Sequence, residues 1–283
     1  MNKIADLHTH TNCSDGILTP DELLAKAIEH NITHISITDH DNIDGYKIAL
    51  QSEHTKQIEI IPGIELSCSE NQLEYHLLGY NFDIENKELS RHISKFRDIR
   101  IKRAKNMHNK LLGLGININF DDILEIAGNA PIARPHIAKA ITTAGYAENY
   151  YEAFSKFIGD DAPAYEPKIH FPVAEAIKLI QAAGGLAVLA HPANFVDEDT
   201  LHNFIKAGLD GIEVVHPMHN ITQRNKYRAI ARKYNILQTG GSDFHGNRPT
   251  DELNFGNEVV SADVFYKILE ITKSRKRRKF LFF

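Results

Sequence analysis

The stretch Ile4-Ala5-Asp6-Leu7-His8-Thr9-His10 ends a short apolar run with two histidines that lie two residues apart. On a β-strand, residues i and i+2 point to the same side, so His8 and His10 can present both imidazole rings to one point. Imidazole is a common metal ligand in proteins. Asp15 follows after a segment of turn-forming residues. We therefore predict a metal site just beyond the first strand.

Length and composition are those of an ordinary globular protein. The chain has 283 residues, 42% hydrophobic and 24% charged, which is enough for one large domain or two smaller ones. No apolar run is long enough to span a bilayer, and the chain enters its first strand at once, so we expect neither a membrane helix nor a signal peptide. Only two cysteines occur, Cys13 and Cys68, and they lie far apart in the chain. A disulfide framework is therefore not indicated, and we expect a reducing, cytoplasmic setting. The net charge of -5 argues against a globally basic nucleic-acid-binding protein.

Short apolar runs alternate with helical patterns along most of the chain. The candidate strands are Ile4–Leu7, His34–Thr38, Ile58–Ile61, His76–Gly79, Leu186–Ala190, Gly211–Val215 and Ile236–Thr239. The candidate helices include Pro20–Glu29, Asp44–Glu53, Val173–Ala183, Glu198–Ala207, Thr222–Tyr234 and Ala262–Thr272. This alternation predicts an α/β fold in which parallel strands are joined by crossover helices, either as a barrel or as an open sheet.

The middle of the chain breaks this alternation. From about Phe96 to Pro167 the apolar residues follow helical spacing only. We therefore predict a small helical insertion between strands of a barrel. The expected domains are the first part of the barrel at residues 1-97, the helical insertion at residues 98-170 and the second part of the barrel at residues 171-283.

Residue types that bind metals lie at or near the ends of most predicted strands. The carboxyl ends of parallel strands meet on one face of an α/β fold, where active sites lie. The candidate ligands are His8, His10, Asp15, His40, Glu65, His76, His191, Asp243 and His245. They are too many for one ion, and imidazole with carboxylate suits Zn²⁺, Mn²⁺ or Fe²⁺. A cluster of two or three ions, with neighbours about 3.5–4 Å apart, is suited to phosphoester hydrolysis.

Five motifs in this order resemble the PHP (polymerase and histidinol phosphatase) family. They are His8-Thr-His10, Thr38-Asp39-His40, Pro62-Gly63-Ile64-Glu65, Ala190-His191-Pro192 and Gly241-Ser242-Asp243-Phe244-His245. The resemblance covers nearly the whole chain and is specific. It implies a distorted seven-stranded β/α barrel, similar to a TIM barrel, with a small helical insertion domain and a site for two or three metal ions.

The resemblance also implies how the candidate ligands are shared among three ions. His8, His10, Glu65 and Asp243 would bind the first ion, Glu65, His76 and His191 the second, and Asp15, His40 and His245 the third. Mn²⁺ is the favoured ion, with Zn²⁺ or Fe²⁺ as alternatives, and a metal-bound hydroxide would be the nucleophile. Asp39 would either orient a metal ligand by hydrogen bonding to it or cap the following helix.

Within the family, Ala133-Arg134-Pro135-His136 resembles the branch that acts on nucleotides. Those relatives remove the 3′-phosphate from nucleoside 3′,5′-bisphosphates, and some degrade short RNA from its 5′ end. The resemblance implies that Arg134 grips a substrate phosphate with its forked guanidinium. His136 would bind phosphate or protonate the leaving alkoxide. We expect a nucleotide or short oligonucleotide as substrate and no obligate protein partner.

Two other functions stay open at this point. The first is histidinol-phosphate phosphatase activity, which belongs to the same family. The second is a non-catalytic nucleic-acid-binding module, which the basic segments Arg91–Lys110 and Lys273–Lys279 favour. The complete set of candidate ligands argues against that module. His216 and His219 follow a predicted strand and are candidates for lining the pocket, although a non-catalytic role is favoured for both.

Overall fold

The computed structural model describes residues 3–168 and 170–281. By its internal contacts the chain divides into two compact units. Met1–Ser90 and His170–Phe283 form the first, here called the barrel unit, and Arg91–Ile169 form the second, here called the helical unit. Among the described residues, no helix has both the length and the apolar character that crossing a bilayer requires.

The barrel unit is built on one sheet with the strand order β7-β6-β5-β4-β3-β2-β1-β8. The strands are β1 (Ile4–Thr9), β2 (His34–Ile37), β3 (Glu59–Glu70), β4 (Leu73–Tyr80), β5 (Leu186–Leu189), β6 (Gly211–Val215), β7 (Leu237–Gly240) and β8 (Val260–Ser261). Beyond β7, Asp243 N–H donates to the His8 carbonyl at 2.8 Å, and His10 N–H donates to the Phe244 carbonyl at 2.9 Å. These bonds return the chain to β1, so the sheet is a nearly closed barrel.

The sheet differs from the expected one in strand number and direction. It has eight strands rather than seven, because the two-residue β8 pairs antiparallel with the start of β1. β4 pairs antiparallel with both β3 and β5, whereas parallel strands were expected throughout. The cause is a two-residue turn at Asn71 and Gln72, whose φ angles of 48° and 66° let β3 return directly as β4.

The helices follow in chain order, and two differ clearly from the predicted ones: the helix predicted at Asp44–Glu53 ends at Ala49, and the one predicted to end at Thr272 continues to Leu281. They are α1 (Pro20–Glu29), α2 (Asp44–Ala49), α3 (Lys87–Gly113), α4 (Phe120–Ala127), α5 (Arg134–Thr143), α6 (Tyr150–Ala153), α7 (Val173–Ala182), α8 (Glu198–Lys206), α9 (Ile221–Tyr234), α10 (Asp251–Asn254) and α11 (Ala262–Leu281). The predicted start of α1 is confirmed: Thr19 Oγ1 accepts the Glu22 N–H at 3.3 Å, and Glu22 Oε2 accepts the Thr19 N–H at 2.8 Å.

Alternation along β1 separates the apolar core from the polar site. Ala5 and Leu7 lie in a buried apolar cluster together with Phe265 and Ile268 of α11. His8 points to the opposite face, because successive residues of a strand alternate. The packing of α11 against β1 therefore fixes the strand that carries the first candidate ligands.

The helical unit has a hydrophobic core of its own. Met107 and Leu111 of α3 pack with Ile123 of α4 and with Ile137 and Ile141 of α5. Between β4 and β5, all the secondary-structure elements of the described residues are helices, apart from an isolated β-bridge between Pro172 and Ser69 of β3. The helical reading of this segment from its apolar spacing therefore agrees with the structure.

Gly63 provides a test of how tightly β3 packs beside β2. A Cβ at Gly63 would overlap Ser36 Oγ and the carbonyl oxygen of Ile37. We expect Gly63→Ala to lower the free energy of unfolding by about 1–3 kcal/mol, because overpacking forces backbone shifts. The measurement is urea denaturation. Gly113→Ala is the matched control: a Cβ there meets nothing within 4 Å, so stability should be equal or up to about 1 kcal/mol higher. Equal stability of both variants would contradict the packing argument.

Candidate metal centre

The two histidines at the end of β1 face two carboxylates. His8 Nε2 lies 3.2 Å from Glu65 Oε2 and 3.3 Å from Asp243 Oδ1. His10 Nε2 lies 3.1 Å and 3.2 Å from the same two oxygens. The donor atoms of these four buried residues all lie within 4.8 Å of one another. The structure thus brings together the four residues that the resemblance assigns to the first ion.

Glu65 stands at the centre of the cluster and lies inside β3, not beyond the end of a strand as the sequence indicated. Its Oε1 lies 2.8 Å from His76 Nδ1 and 3.0 Å from His191 Nε2. Its Oε2 faces His8, His10 and also His40, whose Nδ1 is 3.3 Å away. The residues assigned to the second ion are therefore also together. His76 lies within β4 rather than at its start.

Asp15 gathers the residues assigned to the third ion. Its Oδ1 lies 3.3 Å from His245 Nε2, and its Oδ2 lies 4.0 Å from His40 Nε2. His10 joins this group, because its Nδ1 lies 3.9 Å from Asp15 Oδ1. His10 and His40 therefore each face two of the three groups, a sharing that the resemblance did not imply.

Several polar atoms of the cluster have no hydrogen-bond partner among the described residues. These buried atoms are His10 Nε2, Asp15 Oδ1, His40 Nδ1 and His76 Nδ1. Leaving such groups unsatisfied is costly, so native structures satisfy them with a partner, water or an ion. A set of imidazole nitrogens and carboxylate oxygens suits a divalent metal. The residues present therefore fit a metal centre.

The carboxylates of the cluster are held in the charged form. Burial alone would raise the pKa of Glu65, but the surrounding imidazoles, His76, His8 and His10 among them, hold it well below its usual value. Burial acts in the same direction on Asp15, and His245 overcomes it, so the Asp15 pKa also lies well below its usual value. Charged carboxylates are the form that binds a cation.

The imidazoles of the cluster differ in the direction in which their pKa values are shifted. Burial alone would lower the pKa of His10, but Asp243 and Glu65 raise it to about 9. For His40 burial prevails and lowers the pKa to about 3. Since a metal binds the neutral ring, His40 is ready to bind, whereas His10 must first release a proton.

Glu213 belongs to the candidate site, although the sequence did not indicate it. It is fully buried in β6; its Oε1 lies 3.0 Å from His8 Nδ1, and its Oε2 accepts the His191 N–H at 2.7 Å. It thereby holds two candidate ligands at once. The available signal was a carboxylate in the middle of the apolar run Gly211–Val215 rather than at a strand end.

Asp39 fixes the loop that leads to Asp15. Its Oδ1 accepts hydrogen bonds from the Thr11 N–H at 2.8 Å and from Ser14 Oγ at 2.6 Å, and its Oδ2 accepts from Thr11 Oγ1 at 2.7 Å. The expected capping role is wrong, because α2 begins without a side-chain cap. Asp39 therefore holds the loop that precedes the candidate ligand Asp15.

Arg248 is a second residue that the sequence did not indicate. Its Nη1 donates to Asp243 Oδ2 at 2.6 Å, and its Nη2 donates to His245 Nε2 at 3.0 Å. It therefore places a positive charge beside two candidate ligands. No spacing rule singles out an arginine three residues beyond the last histidine motif.

The two predicted substrate-binding residues lie in the helical unit, at the start of α5. Arg134 Nη1 pairs with Asp160 Oδ1 at 2.5 Å, and its guanidinium lies 4.7 Å from the centre of the Phe154 ring. His136 is buried, and its Nδ1 accepts the Ala133 N–H at 3.0 Å. Both side chains thus have local structural partners.

A model of the PHP domain matches residues 6–169. The chain belongs to the PHP family. The predicted family resemblance is therefore confirmed, over the part of the chain that carries His8, His10, Asp15, His40 and Glu65.

Several PHP relatives are similar over most of their length. The 5′-3′ exoribonuclease Rnm of Escherichia coli (strain K12) is 30% identical over 258 residues, which is 88% of each chain. The 3′,5′-nucleoside bisphosphate phosphatase of Chromobacterium violaceum is 30% identical over 246 residues, 85% of this chain and 86% of that protein. A crystal structure from Bifidobacterium adolescentis, described as a metal-dependent phosphoesterase, has a TM-score of 0.86 and 30% identity, covering 94% of this chain and 95% of the other.

These PHP relatives confirm that the chain is a hydrolase of phosphate esters. The α/β barrel class is confirmed by the similar crystal structure. The identity of the metal and of the substrate is a separate question, which depends on the residues of this chain.

Glu213 allows a test of how the PHP centre is supported. We expect Glu213→Gln to weaken divalent-metal binding by about 10–100-fold, because the amide holds the His8 ring and the His191 backbone less firmly than a carboxylate. Isothermal titration of the metal-free protein with Mn²⁺ measures this. Glu59→Gln, at the exposed first residue of β3, is the control and should bind Mn²⁺ as the wild type does. Unchanged affinity of Glu213→Gln would show that this carboxylate does not support the ligands.

Proposed function

We propose that this PHP protein removes the 3′-phosphate from nucleoside 3′,5′-bisphosphates. The observation that carries the proposal is the convergence of imidazole nitrogens on both oxygens of the buried Glu65. The similarity to the bisphosphate phosphatase of Chromobacterium violaceum supports the choice of substrate. Short RNA, degraded from its 5′ end, is a second candidate that the Escherichia coli exoribonuclease supports.

We propose that two or three divalent ions bind at the cluster, with Mn²⁺ favoured over Zn²⁺ or Fe²⁺. Their ligands would be the three groups already described: His8, His10, Glu65 and Asp243; Glu65, His76 and His191; and Asp15, His40 and His245. When bound, such ions polarise phosphoryl oxygens and make water a nucleophile at neutral pH.

The surrounding residues hold these ligands in the orientation that metal binding needs. The Glu213 carboxylate accepts a hydrogen bond from His8 Nδ1, which leaves His8 Nε2 directed at Glu65 and Asp243. Gly45 leaves room for Asp39, because a Cβ at that position would overlap Asp39 Oδ2. In this proposal Asp39 supports catalysis through the position of the Asp15 loop.

Within the helical unit, a group of arginines supports the proposed phosphate-binding role of Arg134. Burial and the nearby guanidinium groups of Arg134 and Arg100 together lower the pKa of Arg103 to about 10. Arg103 Nη2 is buried and has no hydrogen-bond partner among the described residues. A phosphate bound there would offset the mutual repulsion of these cations and accept their hydrogen bonds.

His136 is the other proposed phosphate-binding residue. Its Nδ1 accepts the Ala133 N–H, so the ring proton lies on Nε2 when the ring is neutral. Nε2–H can donate a hydrogen bond to a phosphate oxygen. The proposed role of His136 is therefore compatible with its local structural role at the start of α5.

Substrate choice is tested with purified full-length protein supplied with Mn²⁺. We expect release of inorganic phosphate from a nucleoside 3′,5′-bisphosphate and formation of the 5′-monophosphate, with a higher kcat/KM than for histidinol phosphate. EDTA should abolish turnover, because the nucleophile and the charge stabilisation depend on the ions. A higher kcat/KM for histidinol phosphate would favour that phosphatase instead.

The non-catalytic alternative has its own test. A wild type that shows no turnover, together with a His8→Ala/His10→Ala variant that binds RNA normally, would favour the nucleic-acid-binding module.

If short RNA is also a substrate, we expect a short 5′-phosphorylated RNA to shorten from its 5′ end. Gel analysis with the label at the 3′ end distinguishes this direction from the opposite one.

Arg134→Lys tests the phosphate contact. We expect KM for the bisphosphate to rise by about tenfold or more, because lysine cannot form two parallel charge-assisted hydrogen bonds. kcat should change little. Arg97→Lys in the same unit, whose guanidinium donates to the Asn129 carbonyl, is the matched control. An unchanged KM for Arg134→Lys would remove Arg134 from the proposed binding site.

A further inference from the structure

His216 is a buried histidine beside the candidate metal centre that belongs to none of the three proposed ligand groups. It follows β6 directly and is 1% exposed. Its Nε2 has no hydrogen-bond partner among the described residues and lies 3.5 Å from Asp243 Oδ2. A buried, unsatisfied nitrogen is therefore directed at the centre.

The other nitrogen of the ring shows where its proton lies. The backbone N–H of Met218 donates to His216 Nδ1 at 3.1 Å. Nδ1 must therefore carry a lone pair, and the proton of the neutral ring lies on Nε2. A protonated nitrogen has no lone pair for a metal. Although His216 lies close to His8 and Glu213 in a group that could hold an ion, its hydrogen bonding opposes a ligand role.

His8 shows the opposite arrangement. Its Nδ1 faces the acceptor Glu213 Oε1 at 3.0 Å and therefore donates, which leaves Nε2 free to bind an ion. The centres of the His8 and His216 rings lie only 5.8 Å apart. In their neutral forms, the two neighbouring histidines thus present different groups: His8 a lone pair and His216 an N–H donor.

The loop that carries His216 is held firmly. Arg224 Nη2 donates to the His216 carbonyl at 3.2 Å, and Arg224 Nε donates to the His219 carbonyl at 2.9 Å. The same guanidinium pairs with Glu258 at 2.7 Å. His219 is satisfied at both ring nitrogens, through the Val214 carbonyl and the Ala193 N–H. The Nε2–H of His216 is therefore oriented before any substrate binds.

Among the described residues, no group accepts a hydrogen bond from this N–H. The nearest carboxylate oxygen, Asp243 Oδ2, already accepts a hydrogen bond from Arg248 Nη1 at 2.6 Å. A phosphoryl oxygen is an acceptor only, and it gains negative charge as the nucleophile attacks. The chemistry of this donor therefore matches a phosphoester rather than a second cation.

We propose that His216 is a catalytic residue that donates a hydrogen bond from Nε2 to a non-bridging oxygen of the reacting phosphoryl group, and that it is not a metal ligand. The proposal rests on phosphoester hydrolysis at the centre described above. The hydrogen bond needs no proton transfer. A fixed donor of this kind is worth about 10²–10³-fold in kcat.

His216→Ala and His216→Gln test the proposal in the full-length, Mn²⁺-loaded protein. We expect His216→Ala to lower kcat by about 10²–10³-fold while KM changes less, because the contact strengthens in the transition state. His216→Gln should recover part of the loss, since its amide N–H can take the place of Nε2–H. Isothermal titration should give the wild-type number of bound Mn²⁺ ions and the wild-type Kd for both variants.

Each contrary result is distinct. Loss of a bound ion or a weaker Kd for Mn²⁺ in either variant would make His216 a ligand and overturn the proposal. A wild-type kcat in His216→Ala would also overturn it. If His216→Ala does not fold by circular dichroism, His216→Gln carries the test, and a kcat for His216→Gln no lower than that of the control His219→Gln refutes the proposal.

The tautomer has an independent readout. In protein labelled with ¹⁵N-histidine, NMR of the neutral His216 ring should show a protonated Nε2 and a bare Nδ1. A protonated Nδ1 would contradict the proposal whatever the kinetics show.

Measuring kcat also with p-nitrophenyl phosphate separates the proposed role of His216 from the proposed bisphosphate substrate. Activity on p-nitrophenyl phosphate without activity on the bisphosphate would refute the proposed substrate and leave the role of His216 to be decided by the variants.

Discussion

The buried carboxylate of Glu65 is the group on which the rest of the site depends. A charge removed from water in this way is stable only beside opposite charge and hydrogen-bond donors. Glu65 pairs across the sheet with Leu78, and His76 pairs with Ser67, so Glu65 and His76 are diagonal neighbours on one face. This register requires β3 to continue well beyond the apolar run and β4 to return antiparallel. Glu65 and His76 thus both lie in the part of the barrel that departs from parallel order.

The sequence predicted the parts of the site that depend on local periodicity. His8 and His10 were found because residues two apart on a strand share a face. The position of Glu65 within a strand was not found, since Pro62 and Gly63 resemble a strand end. The hairpin was also missed. Asn71 readily adopts a positive φ, but Gln72 does not, and the usual signal is a glycine at that second position.

Long-range partners explain what the sequence could not supply. Glu213 matters because β6 places it against His8 of β1 and against the backbone of His191, and no spacing within Gly211–Val215 contains that contact. Its polar character inside an apolar strand was a usable signal. The role of His216 depends on the backbone N–H of Met218, which the loop directs at the ring. Residue type alone does not distinguish a metal ligand from a hydrogen-bond donor.

Charge balance connects the site to the stability of the fold. Asp15, Glu65 and Asp243 are all held in the charged form inside the barrel unit, and protons on His8 and His10 offset part of that charge when no metal is bound. Divalent ions would take over this role and release those protons. Because ions bound only by the folded chain stabilise it by mass action, the ligands serve stability as well as chemistry. A substitution that removes one imidazole therefore also leaves buried carboxylate charge less compensated, so its effects on activity and on stability arise from one cause.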